Sequence, residues 1–210
     1  MAGTKEHIEE VAVELFNSRG YENVSLREIA SAAGTSLGNL TYHFPRKGDL
    51  LESIVSKPLE HYWSLLDNTL TGGELLERFV TLFVEGESMA EKYPFFFKAG
   101  ISTRVGRKAS TPMTASTLSH ELLTYYTRGL SRLQHDGYIS RRISNWSLGV
   151  MASTITTVES SWVLDAKADR TKNARPVRMA DALCGILMPA VTEEHSAEYA
   201  EICRNHGVNF

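Results

Sequence analysis

The sequence predicts an all-α protein, with an N-terminal three-helix domain containing a helix-turn-helix and a larger helical domain after it. Three observations carry this prediction. Apolar residues recur at three- and four-residue spacing through most of the 210 residues. No segment alternates as a half-buried strand does, and no internal repeat is present. Near the N-terminus, two short helical patterns meet at Gly34, the arrangement of a helix-turn-helix.

The first helix is drawn by Ile8, Val11, Ala12, Leu15 and Phe16, and Gly20 ends it. Ser25 followed by Glu28 is a capping box, so the second helix starts just after Ser25 and buries Leu26, Ile29, Ala30 and Ala33. Gly34 closes it, because glycine takes the left-handed conformation without a Cβ clash. Thr35 or Ser36 caps a third helix running roughly from 36 to 43 and anchored by Leu40 and Phe44. Its outward residues, Ser36, Leu37, Asn39, Thr41, Tyr42 and His43, suit base edges and phosphates. The stretch therefore predicts a DNA-reading head. Ser25, Arg27, Tyr42 and Lys47 are expected to hold phosphates. Thr35, Ser36, Leu37, Asn39 and His43 are expected to face bases, with Asn39 suited to adenine.

After Pro45 a linker helix runs from Lys47 to about 67, interrupted at Pro58, where a missing N–H and a ring clash kink a helix. Its angle is expected to set the spacing of two heads, with Pro58 a candidate hinge. Gly72-Gly73 break the chain before a helix from Glu74 to about 92, and Tyr93-Pro94 begin a short one carrying Phe95, Phe96 and Phe97. Residues 102–113, with Arg104, Arg107 and Lys108, read as a solvated loop. Long helices follow over 114–136, ended by Gly137, and over 144–164, where Gly149, Ala152, Ser153 and Ser160 permit close packing. A polar, basic linker spans 167–178, and helices over 179–192 and 193–205 complete the chain. The domain division expected is 1–46 for the head and 47–210 for the rest.

Between Ile8 and Leu51 the chain resembles the N-terminal domain of the tetracycline-repressor (TetR/AcrR) family of bacterial regulators. The resemblance rests on Ala12, Leu15-Phe16, Gly20-Tyr21, Val24-Ser25-Leu26, Ile29-Ala30, Ala33-Gly34-Thr35-Ser36, Gly38-Asn39-Leu40, Tyr42-His43-Phe44, Lys47 and Leu50-Leu51, in order and without a gap. One departure is Thr41, where many members have Tyr; Tyr42 is then the aromatic available. The resemblance implies a homodimer on a double-stranded DNA operator and a variable C-terminal domain that binds a small molecule, here an apolar or amphipathic effector. It also implies DNA affinity that falls when the effector binds, and so a repressor released by its ligand. The helices over 144–164 and 179–192 are the candidates for a four-helix dimer interface. Aromatic residues that could line an effector pocket are Trp63, Phe83, Phe95, Phe96, Phe97, Tyr125, Trp146 and Trp162, with Asn145, Glu159 and His120 as polar anchors.

Composition fits this reading. Hydrophobic residues make up 42% and the net charge is −3, so the chain is not a generic polyanion binder. Residues 1–47 carry five basic and six acidic side chains, but between Ser25 and Lys47 only Glu28 opposes Arg27, Arg46 and Lys47. The near-neutral charge of the head keeps a second class open: a helical protein-interaction module that has lost DNA binding. Two cysteines, Cys184 and Cys203, make no disulfide framework, and no apolar run is long enough to span a membrane, so a soluble, cytoplasmic protein is expected. An enzyme is not expected. Gly34 and Gly38 follow no strand and form no phosphate loop, and Cys203 and His206 lack two further metal ligands, so no cofactor or metal is implied.

Overall fold

The computed structural model describes residues 4–98, 115–165 and 177–208. They form α1 (Thr4–Arg19), α2 (Leu26–Ala32), α3 (Leu37–His43), α4 (Lys47–Ser64), α5 (Gly72–Lys92), α6 (Pro94–Lys98), α7 (Ala115–His135), α8 (Asn145–Asp165), α9 (Met179–Leu187) and α10 (Glu193–Asn205). Single 3-10 turns lie at Tyr21–Asn23 and Met188–Ala190. Among the described residues there is no strand, only an isolated bridge between Ile139 and Val191. The predicted loop 102–113 lies outside the described residues, as does most of the predicted linker 167–178.

The described residues divide into two compact units. Residues 4–63 with 92–98 make one, and 64–91, 116–165 and 177–208 make the other. The first unit thus takes in the head, nearly all of α4, and α6.

In the first unit, α1, α2 and α3 pack on one another. Ile8, Ala12 and Phe16 of α1 are fully buried with Ile29 and Ala30 of α2, Leu40 of α3, and Phe44. The expected terminators are in place: Gly20 has φ +84° and Gly34 has φ +63°. α4 begins where Asp49 Oδ2 accepts the Arg46 backbone N–H at 2.9 Å, and it buries Leu50, Leu51, Ile54 and Val55. Ser53 Oγ donates to Glu9 Oε1 of α1 at 2.6 Å. The expected interruption at Pro58 is corrected: α4 runs unbroken through it to Ser64. Burial of Leu59, Tyr62 and Trp63 holds the turn that lacks the proline N–H. α6 packs on α1, with the Phe95 ring 5.3 Å from that of Phe16, and Asn17 Nδ2 donates to the Lys92 carbonyl at 3.1 Å.

In the second unit α5 starts at Gly72, so the Gly-Gly pair opens the helix rather than preceding it. Phe79 and Phe83 of α5 and Tyr125 and Tyr126 of α7 form an aromatic cluster with ring centroids 5.1 to 6.3 Å apart. Gly129 gives Phe79 its room: a Cβ there would lie 2.5 Å from Phe79 Cζ. Tyr126 Oη donates to the buried Glu159 Oε1 at 2.9 Å. α8 carries small and apolar residues all round. Leu148, Ala152, Ile155 and Thr156 face inward, while Trp146 and Val150 face solvent.

The end of the predicted basic linker is an anchor. Arg178 Nε and Nη2 donate to Glu87 Oε2 of α5 at 3.0 and 2.7 Å, and its Nη1 donates to the Gly207 carbonyl at 2.9 Å. Glu87 Oε1 accepts the Met179 backbone N–H at 2.8 Å and so caps α9 from another helix. Cys184 of α9 and Cys203 of α10 are free, fully buried thiols whose side chains hydrogen-bond each other.

Candidate nucleic-acid interface

The helix-turn-helix is fixed by the caps of α2 and α3. Ser25 Oγ accepts the Glu28 backbone N–H at 3.3 Å, and Glu28 Oε2 accepts the Ser25 backbone N–H at 2.8 Å, completing the expected capping box. Ser36 Oγ accepts the Asn39 backbone N–H at 3.1 Å and caps α3. Leu40 and Phe44 are buried and orient the helix; the opposite side is open. There Tyr42 is 82% exposed and Leu37 38% exposed, with Ser36, Asn39 and His43 also exposed. The Tyr42 and His43 rings meet edge to face at 5.2 Å.

Thr35 is half-buried, and its Oγ1 accepts from Asn39 Nδ2 at 2.8 Å. This bond orients the amide of the exposed Asn39 and uses one of its N–H groups, leaving Oδ1 and the other N–H as the donor–acceptor pair an adenine edge requires. Thr41, half-buried, donates its hydroxyl proton to the Leu37 carbonyl at 2.9 Å and retains only acceptor capacity. Arg27 and Arg46 are exposed, and neither has an ion-pair partner among the described residues. Arg46 has no role in the sequence reading beyond local charge. The signal for it is its place one residue before α4, beside the end of the reading helix.

Two expected phosphate holders have partners within the protein. Ser25 Oγ donates to Glu28 Oε2 at 2.7 Å, so its proton serves the cap. Lys47 is half-buried, and its Nζ donates to the carbonyls of Tyr21 at 2.8 Å and Val24 at 3.0 Å while lying 4.3 Å from the centroid of the Tyr21 ring. Acceptors at separations of 26 and 23 residues leave no local trace in sequence.

Glu28 also takes Arg19 Nη2 at 2.6 Å. Hydrogen bonds from the Ser25 side chain and backbone and from Arg19 hold its carboxyl down from the ordinary 4.5 to about 2. A depressed carboxyl stabilises the fold above its unfolded pKa, and that contribution fades as pH falls through the folded value. The head is therefore expected to loosen between pH 4.5 and about 2, and Glu28→Gln to abolish that part of the acid dependence. Acid titration of both proteins by circular dichroism checks this; superimposable curves would contradict it.

The expected pocket aromatics are shared between the two units. Phe83 and Tyr125 lie in the aromatic cluster of the second unit, whereas Trp63 and Phe96 are buried in the first. Trp162 and Phe97 are half-buried. Trp146 is 78% exposed, because it projects from α8 opposite Leu148 and Ile155. His120 and Asn145 are likewise exposed, while Glu159 is buried. Trp146 edges an open groove of about 660 Å³, lined also by Leu123 and Thr127 of α7 and Val150, Thr154 and Val158 of α8. No helix among the described residues is long and apolar enough to cross a membrane.

Comparison with known proteins agrees with this geometry. The family model described as "Bacterial regulatory proteins, tetR family" matches residues 8–54, which cover α2, α3, most of α1 and the first half of α4. The "Probable HTH-type transcriptional regulator YttP" of Bacillus subtilis (strain 168) is 42% identical over 64 residues, 30% of this chain and 31% of that protein. The HTH-type transcriptional regulator AcrR of Shigella flexneri is 39% identical over 72 residues, 34% of this chain and 29% of that protein. The chain thus spans less than a third of the length of either relative. Whole-chain likeness is to solved folds. A γ-butyrolactone receptor (ArpA-like protein) matches at TM-score 0.67 and 20% identity, over 96% of this chain and 94% of that one. A regulator from Marinobacter aquaeolei VT8 matches at TM-score 0.66 and 18% identity, over 97% and 98%. These relatives are named as regulators or receptors, not as enzymes.

Proposed function

We propose, from the premise that the chain belongs to the TetR family of bacterial regulatory proteins, that it is a dimeric, sequence-specific DNA-binding repressor released by a small apolar or amphipathic effector. The observation that carries this is the open face of α3. Its buried side fixes it, and its solvent side presents an oriented amide, an aromatic ring and an imidazole, with the unpaired cations Arg27 and Arg46 nearby. Base reading falls to Ser36, Leu37, Asn39 and His43, with Thr35 orienting Asn39. Phosphate contact falls to Arg27, Arg46 and the exposed Tyr42.

A second copy is needed because one seven-residue helix reads few base pairs; two-fold symmetry doubles the site with heads about 34–36 Å apart. The exposed apolar side of α8 supports that partner surface. Attachment of α4 and α6 to the head supports release by effector, since movement of either helix carries α1 with it. Trp63 offers a buried indole N–H that finds no acceptor, a donor an effector would satisfy.

The test is selection of genomic fragments by the purified protein, followed by salt titration on the fragments recovered. One two-fold-symmetric site, with affinity falling steeply as salt rises, is the expected result. Recovery of nothing above background at low salt would favour the protein-interaction module. On the recovered site Arg27→Ala should weaken selected and random duplexes alike and flatten the salt slope by about 0.9. Asn39→Ala should cost about 1–3 kcal/mol at one base position and relax preference there. Equal losses on both duplexes for both variants would sink this division of roles.

A further inference from the structure

The geometry points to Lys47 as a positioning residue, a latch that fastens the linker helix to the reading head, rather than as a direct phosphate contact. This rests on the DNA-reading function proposed above.

Lys47 is the first residue of α4. Its ammonium sits between two main-chain carbonyls that flank the 3-10 turn joining α1 to α2, those of Tyr21 and Val24. The Glu22 carbonyl is 3.5 Å away, and the Tyr21 ring closes one side. An ammonium has three N–H groups, and here two make short, charge-assisted bonds to protein. Delivering this cation to a phosphate would leave the Tyr21 and Val24 carbonyls without it at a half-buried position.

Both anchor points are themselves fixed. The Tyr21 ring packs edge to face on the buried Phe16 at 5.1 Å, and Val24 is buried. The residue after Val24 is Ser25, where the capping box of α2 begins. Lys47 therefore ties the start of α4 to the start of the helix-turn-helix. The Ser53–Glu9 bond repeats the tie two turns along α4. The beginning of α4 and the head then move as one body. A rotation of α4 reaches α3 undiminished instead of being absorbed by bending at Pro45–Lys47. Without the latch, α3 still meets DNA, but its angle to α4 is no longer set. The loss falls on a duplex that must meet two heads in register, and spares a random duplex.

The experiment uses the full-length protein, the duplex recovered by genomic selection and a random-sequence duplex. Wild type, Lys47→Met and Tyr21→Leu are compared, because Tyr21→Leu removes the ring beneath the ammonium without touching a cation. Expected for both variants is about a tenfold loss on the selected duplex, with random-duplex affinity within about twofold and the salt slope unchanged. Both should also melt several degrees lower in the absence of DNA. The latch is overturned if Lys47→Met loses both duplexes in parallel and its salt slope falls by about 0.9, the mark of a lost phosphate contact. It is equally overturned if Tyr21→Leu behaves as wild type. If the wild type binds neither duplex, the regulator reading fails, and the melting temperatures alone decide the latch: unchanged values in both variants overturn it.

Discussion

Glu87→Leu is expected to destabilise the second unit by about 3 kcal/mol, the sum of a buried N–H left without an acceptor and a lost helix cap. The carboxylate is 5% exposed and accepts three hydrogen bonds, from Arg178 Nε and Nη2 and from the Met179 amide. The two kinds of partner lose differently. The Arg178 side chain is 43% exposed, so its guanidinium can turn to water, and an exposed ion pair contributes about 0–1 kcal/mol. Met179 is buried, so its N–H has no such recourse, and it is the first residue of α9. The amide, not the salt bridge, therefore dominates. Glu87→Gln keeps an acceptor for Met179 and should cost roughly half as much. For a chain of this length 3 kcal/mol corresponds to a fall in Tm of about 6–12 °C. Thermal melts of the two variants decide the matter. A loss below about 1 kcal/mol in Glu87→Leu would show that solvent takes over the capping role.

In the dimer proposed above, Trp146→Glu combined with Val150→Glu is expected to separate the two copies and to reduce affinity for a two-fold DNA site by about 100-fold or more. That is the advantage a second, tethered head confers. Both residues lie on the solvent side of α8, beside the apolar groove shared with α7. An exposed tryptophan with apolar neighbours is what an interface centre presents, since Trp anchors dominate association energies. Four carboxylates brought together across a two-fold axis would lose that burial and add like-charge repulsion. The substitutions point outward, so each chain should keep its helicity and melting behaviour. Sedimentation velocity with fluorescence anisotropy on the same samples is the check. A variant that stays dimeric and binds as wild type would remove α8 from the interface.

Local chemistry was legible in the sequence, and distant pairing was not. The capping box at Ser25–Glu28 and the left-handed Gly34 depend on contacts within four residues, so spacing alone revealed them, and it narrowed the cap of α3 to Thr35 or Ser36, of which Ser36 is used. Leu40 and Phe44 followed from helical periodicity. The partners of Lys47 lie more than twenty residues away, and those of Glu87 about ninety, where no pattern in the chain points. Arg178 looked like part of a basic linker because its partner belongs to another helix. The exposure of Trp146 was not legible for a different reason. A helix with small and apolar residues on every side has no polar face to tell inside from outside, so nothing local placed its aromatic residue. Pro58 was overruled by burial: the side chains around it hold a turn that its own backbone disfavours.

The paired thiols of α9 and α10 give the protein its own clock for opening. Cys184 and Cys203 are sealed from solvent, and the Cys203 hydrogen bond together with burial holds the Cys184 thiol far above its ordinary range. Alkylating reagents attack thiolates, so the folded protein offers Cys184 almost no reactive form. Modification of that site must wait for α9 and α10 to part. Its rate under native conditions then measures the free energy of that separation, residue-specifically and without denaturant.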